Sequence, residues 1–293
     1  ELGINGFHGF TASWDEHPDR DEDWKKQELG RIGEERFRRE YGCEFLVFDE
    51  TLVNSMVLST LEGVEPKINM GQTRWYKKMD PQKTYVVALD PAMGTGGDNA
   101  AIQVLELPTF EQVAEWKHNT TPVPQQVRIL KDICNHIKDE TQSSGSNIYW
   151  SVENNTIGES ALLVINDFGE DQIPGMFVSE PIRKGHIRKF RKGFNTTHKT
   201  KISACSRLKN MIEKGKLKIY SKPLISELKA FVASGSSYKA KSGEHDDLVS
   251  AMLLAMRIIA VLKDWDPKVY TSFSQADEDT ADKVMPMPIF VSH

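Results

Sequence analysis

Three acidic groups in this chain stand where carboxylates could do chemistry. Asp90 ends the apolar run Tyr85-Val86-Val87-Ala88-Leu89, and Glu153 ends the run from Ile148 to Val152. Asp246 and Asp247 open an apolar stretch that reaches Leu262. The first two runs read as strands buried on both faces, and the third as a helix that must be buried against a sheet. Ends of neighbouring strands lie close together, and a helix N-terminus docked beside them adds one or two more carboxylates. Carboxylates brought that close repel strongly unless a cation neutralises them. Mg²⁺, a hard ion that takes oxygen ligands, suits such a site. Two ions roughly 4 Å apart could clamp the attacking water and the leaving oxygen of a phosphodiester. Taken singly, each acid has an ordinary structural role. A strand-end Asp is a turn former, Asp246 and Asp247 cap a helix and complement its dipole, and Glu153 is a loop residue. Their coincidence at element ends is what points to a metal-dependent site. Asp98 is a further candidate, because a hairpin after the glycine turn would bring it back toward Asp90.

That turn, Asp90-Pro91-Ala92-Met93-Gly94-Thr95-Gly96-Gly97, is similar to the DPxxGTGG loop of adenine-specific DNA methyltransferases. Those enzymes also need an N/D-P-P-Y/F motif, which does not occur here, and their glycine loop leads into a helix. Asn99 to Leu107 reads as a strand instead. The turn is not a phosphate-binding Walker A loop either, since no Gly-Lys-Ser/Thr follows.

Between Ile182 and Lys201 lie Arg183, Lys184, Arg188, Lys189, Arg191, Lys192, Lys199 and Lys201, with no acidic residue among them. Lys239 and Lys241 precede His245 and can add to this patch. The chain as a whole carries 37 Lys plus Arg against 42 Asp plus Glu, a net charge of −5. Overall charge therefore does not announce a nucleic-acid binder, and only the local distribution does. Such a segment suits a phosphate backbone, holding DNA without reading its sequence. A solvated surface loop is the plain alternative. The three cysteines, Cys43, Cys134 and Cys205, are too scattered for a zinc site or a disulfide framework and are expected as reduced thiols. The run from Leu248 to Leu262 is interrupted by Arg257 and is too short to span a membrane.

The elements that must position these residues begin at Tyr85. Tyr85–Leu89, Ala101–Leu107 and Phe110–Trp116 read as strands with short connections, an antiparallel meander. A helix follows from Pro122 to about Lys138, then the strand Ile148–Val152, a helix from about Gly158 to Asn166, and a strand Met176–Val178. Lys199–Lys214 is expected as a helix, Leu217–Tyr220 as a short strand, Pro223–Ala233 as a helix, and Asp246–Leu262 as the last helix. This order is that of an α/β, ribonuclease-H-like fold: a mixed sheet, antiparallel meander plus parallel strands, flanked by helices. Residues 1–45 read as an appendage, 46–83 as a linker or docking segment, 84–263 as the main domain, and 264–293 as a polar tail.

Together these pieces resemble the nuclease domain of tailed-phage large terminases. The resemblance rests on Val86-Val87-Ala88-Leu89-Asp90 with its glycine turn, on Trp150-Ser151-Val152-Glu153-Asn154-Asn155 followed by Gly158, and on Gly243-Glu244-His245-Asp246-Asp247-Leu248-Val249. Lys192-Gly193-Phe194-Asn195-Thr196-Thr197 and Ile225-Ser226-Glu227-Leu228 also look like this family. The resemblance implies an endonuclease using two Mg²⁺ or Mn²⁺ ions on concatemeric double-stranded DNA, with little sequence preference, to start and end genome packaging. It makes Asp90, Glu153 and Asp246 the catalytic acids, with Asp247 as the alternate third acid and Asp98 as an aid to metal binding. It also implies a portal protein and a small terminase subunit as partners, and the cytoplasm of an infected bacterium as the place of action. Residues 1–45 resemble the end of the terminase ATPase lobe, but the Walker elements are absent, so no ATPase activity is expected of this chain alone. The other readings the sequence leaves open are a transposase or resolvase on the same fold, and a non-catalytic DNA-binding or portal-docking module.

Overall fold

The computed structural model describes residues 14–33, 37, 41, 51–184 and 187–265. The chain divides into two units, Glu1–Asp49 and Glu50–His293. In the first, Asp21 caps helix α1 (Glu22–Ile32) by accepting from the Trp24 N–H at 2.8 Å. Trp14, Trp24, Phe37 and Tyr41 form an aromatic cluster beside that helix.

The second unit is built on a seven-stranded sheet. Its strands are β1 (Ile68–Met70), β2 (Thr73–Trp75), β3 (Thr84–Asp90), β4 (Ala100–Leu107), β5 (Glu111–His118), β6 (Ile148–Val152) and β7 (Met176–Phe177). They lie in the order β1-β2-β5-β4-β3-β6-β7. β3, β4 and β5 form the antiparallel meander, while β6 pairs parallel to β3 and β7 parallel to β6. The ribonuclease-H-like mixed sheet expected from the sequence is therefore the fold observed. The segment expected as a linker over 46–83 is different from 51 onward. It contributes the short helix α2 (Ser55–Thr60) and, through β2 pairing with β5, an extension of the sheet itself.

Helices cover both faces. α3 (Val123–Thr141) and α4 (Thr156–Phe168) share one core layer with Tyr85, Val87, Leu89, Ile102, Trp150 and Val152. α5 (His198–Glu213), α6 (Lys222–Ala230) and α7 (Asp247–Trp265) share the other with Val86, Ala88, Ala101 and Leu105. Alternation along β3 thus divides its side chains between the two layers. On α7, Leu248, Val249, Ala251, Met252, Ala255, Met256, Ile258, Ile259 and Leu262 are almost fully buried. At about 1.5–3 kcal/mol for each large side chain, this helix is fixed firmly on the sheet. Among the described residues no helix is long and apolar enough to cross a membrane.

Two expectations differ. Leu217–Tyr220 is not a strand, because its backbone groups are satisfied otherwise: Lys218 exchanges bonds with Phe110 and Gln112, and the Gln112 side chain accepts from the Tyr220 and Ser221 amides at 2.9 Å. The helix expected over Pro223–Ala233 ends at Ala230. Phe231–Ser234 forms β10, pairing with β11 (Ser237–Ala240), and Phe231 turns its side chain into the core. The basic segment forms a further hairpin, β8 (Glu180–Lys184) with β9 (Ile187–Arg191). Cys134 and Cys205 are free and buried, and Cys43 lies outside the described residues.

Candidate active site

Register brings Asp90 and Glu153 together. In the parallel pair β3–β6, Leu89 stands opposite Val152, and the Glu153 N–H donates to the Leu89 carbonyl at 3.0 Å. The next residues along are Asp90 and Glu153. Leu89 and Val152 both belong to the α3–α4 layer, so their successors turn to the opposite face, the one that α7 covers. The two carboxyl groups stand side by side there, near enough to act on one another. Burial, then the adjacent Glu153, then the charges of Asp247 and Asp246 push the Asp90 carboxyl well above the usual carboxylate range.

Asp246 and Asp247 arrive with the start of α7. The Asp246 carbonyl accepts the first helical bond, from the Ser250 N–H at 2.8 Å, and its side chain accepts from the Ala240 N–H at 3.3 Å. The Asp247 side chain accepts from Asn99 Nδ2 at 2.6 Å, which ties the glycine turn to the helix. Burial pushes Asp247 upward as well, against the pull of Asn99, Lys117 and His245. Both acids act on Asp90 through their charge. Asp246, preferred from the sequence, and Asp247, its alternate, both stand at this rim. Asp98 is exposed on the turn; its neighbour Asn99 is the turn residue that reaches the acids.

The loops under these acids are held by backbone-directed contacts. The fully buried Gln126 on α3 donates to the Ala92 and Thr121 carbonyls at 2.7 Å each and accepts from the Ala92 N–H at 3.3 Å. It fixes the chain just after Asp90. Asn155 caps α4, accepting from the Ile157 and Gly158 amides at 3.0 and 2.8 Å, and donates to Glu153 at 3.1 Å. Gly158 packs so closely on the Glu153 carbonyl oxygen that a Cβ there would overlap it. The glycine after the second acid is thus required by the approach of helix to strand end.

Both basic elements are rooted beside the acids. β9 runs on to Phe194, which bridges to Glu153: the Phe194 N–H donates to the Val152 carbonyl at 3.0 Å, and the Phe194 carbonyl accepts from the Asn154 N–H at 2.7 Å. Arg183 and Lys184 lie on β8, and Arg188, Lys189 and Arg191 on β9, with Arg183 in register with Arg188. Lys192 pairs with Glu170 at 3.0 Å. Lys199 and Lys201 lie in the first turns of α5, and Lys201 lines a cavity of about 100 Å³ together with Glu153, Thr196, Ser250 and Arg257. Lys239 lies on β11, whose last residue Ala240 donates to Asp246, and Lys241 follows it.

Sequence reasoning did not single out three residues for a role at this rim: Asn99, Lys117 and Glu227. Each reaches it only through a tertiary contact, and no spacing rule marks such a residue.

The donor set is made of carboxyl oxygens, with no thiol among them, and this fits a hard divalent cation. Among the described residues no three acidic, histidine or cysteine side chains converge closely enough to hold an ion as they stand. Asp90 and Glu153 are in contact, and the two helix acids act on Asp90 through their charge.

The family model for the terminase RNaseH-like domain matches residues 87–257, more than half of the chain. Among solved structures, the large terminase nuclease from the thermophilic phage G20c is 18% identical, with a TM-score of 0.53, covering 71% of this chain and 98% of that one. The same nuclease with bound magnesium gives 18% identity and a TM-score of 0.52, over 72% of this chain and 98% of that one. With bound cobalt the values are again 18% and 0.52. At this identity the likeness is one of fold.

Proposed function

The chain belongs to the terminase RNaseH-like domain family, and from that premise we propose that it is the endonuclease of a viral DNA-packaging terminase. In this reading it cuts concatemeric double-stranded DNA, with little sequence preference, to start and end packaging. One observation carries the reading: the β3–β6 register sets Asp90 and Glu153 side by side at one sheet rim, where α7 begins with Asp246 and Asp247. A divalent-metal requirement is supported by the all-oxygen donor set and by the magnesium and cobalt bound in the G20c nuclease.

Asp90, Glu153 and Asp247 would hold the cations, with Asp246 flanking them and two ions as the expected number. Bound there, divalent ions supply the Lewis acidity that phosphodiester hydrolysis needs. The protein's own share is orientation. β3 and β6 fix the first two carboxylates at adjacent strand ends, and α7 brings the other acids over them. The burial that makes an ionised Asp90 costly without a counter-charge favours a cation at the same point. The basic hairpin β8–β9, with Lys199, Lys201, Lys239 and Lys241, would hold the backbone of the duplex, which carries no sequence information. No ATPase activity is assigned, since the glycine turn lacks the Lys-Ser/Thr of a phosphate-binding loop. A portal protein and a small terminase subunit are the partners this reading implies.

The test is cleavage of supercoiled plasmid with Mg²⁺ or Mn²⁺, set beside Asp90→Asn, with Mn²⁺ binding followed by calorimetry. Loss of both cleavage and metal binding in the variant is expected. Equal cleavage by the variant would reject the assignment.

A further inference from the structure

The start of α7 is capped from elsewhere in the chain. The Leu248 and Val249 amides have no acceptor within their own helix, and both donate to Oε2 of Glu227, at 2.8 and 3.1 Å. Glu227 comes from α6, and its side chain is only 7% exposed. Neither acid at the helix start does this work, although both are good capping types by sequence. Asp246 is engaged by Ala240 and Asp247 by Asn99. A remote carboxylate caps the helix, and the two local ones are left to the rim.

The other oxygen of Glu227 leads back to the sheet. Oε1 accepts from Lys117 Nζ at 2.7 Å. Lys117 lies on β5 opposite Ala101, and Ala101 lies on β4 opposite Asp90. Residues opposite one another across neighbouring strands share a face. Lys117, Ala101 and Asp90 therefore form one row on the α7 side, with Ala101 the one residue between the other two. One carboxylate thus joins the strand row that carries Asp90 to the helix that carries Asp246 and Asp247. The ammonium balances a charge that burial would otherwise make costly.

We propose that Glu227 and Lys117 are a positioning pair that sets the separation between the helix-borne acids and Asp90, and so tunes the affinity of the acidic rim for divalent metal. The inference rests on the nuclease reading of that rim. Neither residue is a metal ligand in this proposal. Outer partners that orient metal-binding carboxylates typically change affinity or activity by about 10- to 100-fold when removed.

The test compares the full chain with Glu227→Ala, Glu227→Gln, Lys117→Met and Lys117→Arg. Mn²⁺ affinity is read by calorimetry, the Mn²⁺ half-saturation by plasmid cleavage, and folding by thermal melting. Glu227→Ala and Lys117→Met are expected to raise the Mn²⁺ dissociation constant about tenfold or more, with cleavage recovering at high Mn²⁺. Lys117→Arg, which keeps the charge and a donor, should recover most of the affinity. Glu227→Gln keeps a capping oxygen and loses the ion pair, so it should fall between wild type and Glu227→Ala. Wild-type Mn²⁺ affinity in folded Glu227→Ala and Lys117→Met, with only the melting temperature lowered, would reduce the pair to a structural role and overturn the proposal. If Glu227→Ala does not fold, Glu227→Gln and Lys117→Met decide on the same criterion. Asp90→Asn run alongside separates the two ideas: Mn²⁺ binding unchanged in that variant rejects the metal site itself, and the positioning role with it.

Discussion

Asn99 donates its side-chain amide to Asp247 at 2.6 Å, across 148 positions of sequence. The bond joins the end of the glycine turn to the first residue of α7 and orients a carboxylate whose charge acts on Asp90. Asn99→Ala should therefore disturb the acids more than the fold. One hydrogen bond contributes about 0.5–1.5 kcal/mol net, so the melting temperature should change little. Loss of the orienting partner should lower cleavage by about 10- to 100-fold. Plasmid cleavage and thermal melting on the same preparation check both halves, and a large loss of stability with unchanged cleavage would contradict the argument.

The two acids at the start of α7 should not be equivalent. Asp247 is held by the Asn99 side chain from the glycine turn that follows Asp90, while Asp246 serves the Ala240 N–H of the β10–β11 hairpin. Asp247→Asn is expected to lower cleavage about 100-fold or more and Asp246→Asn about tenfold. Initial rates at saturating Mn²⁺ rank the two variants. The reverse order would return the third position to Asp246.

How much of this was legible in the sequence depends on whether a residue acts through its own element or through another. Asp90 and Glu153 were visible because each follows a continuous apolar run, and burial on both faces makes such a run a central strand. Which rim they share was not visible, since it follows from the Leu89–Val152 register. Local patterning says nothing about pairing between β3 and β6. Asp246 and Asp247 were visible as a helix start, but their partners Ala240 and Asn99 were not. The helix expected to run on through Phe231 to Ala233 stops at Ala230 for a similar reason. Ala230-Phe231-Val232-Ala233 is a short apolar run that fits either period, and its pairing with β11 decided the outcome. Leu217–Tyr220 also looked like a strand, and the side chain of Gln112 took the bonds a neighbouring strand would have made.

Gly158→Ala tests the close approach of α4 to the second acid. In an exposed helix this change gains up to about 1 kcal/mol. Here the new methyl would overlap the Glu153 carbonyl oxygen, and forced overpacking costs about 1–3 kcal/mol. Relief requires α4 to move from β6 or the Glu153 backbone to shift. The variant should therefore melt lower than wild type and cleave more slowly at every Mn²⁺ concentration. A melting temperature above that of wild type would mean that the helix gives way freely.

At the other end of the sheet, Glu111 gives a pH dependence that should leave catalysis untouched. Burial pushes its carboxyl up, but hydrogen bonds from Lys77, Lys218 and Tyr220 outweigh this and hold it at about 2, against an ordinary 4.5. A depressed carboxylate contributes stability that is fully present above its unfolded value and is lost as pH falls through its folded one. The relevant window therefore runs from 4.5 down to about 2. Glu111→Gln should be less stable than wild type at neutral pH, and the difference should shrink steadily across that window. Urea midpoints at pH 7, 5 and 3 follow it, and cleavage at pH 7 serves as the control expected not to change. A gap that stays constant down to pH 3 would show that the ion pairs contribute nothing.

The hairpin β8–β9 puts Arg183 in register with Arg188 and continues through Arg191 to the residue that bridges Glu153. If its cations neutralise phosphates, binding must be driven in part by counterion release. The logarithm of the association constant then falls with the logarithm of salt by about 0.9 for each duplex phosphate contacted. Replacing Arg188 and Lys189 by Ala should weaken duplex binding at low salt and flatten that slope by up to about 2 for the pair. The effect should be the same for DNA of unrelated sequence, because phosphate contacts carry no base information. Mn²⁺ affinity of the acidic rim should stay at the wild-type value, since the carboxylates keep their partners. Fluorescence anisotropy with two unrelated duplexes over a salt series measures the slope directly. An unchanged slope would remove the hairpin from the DNA-binding surface and leave that role to Lys199, Lys201, Lys239 and Lys241.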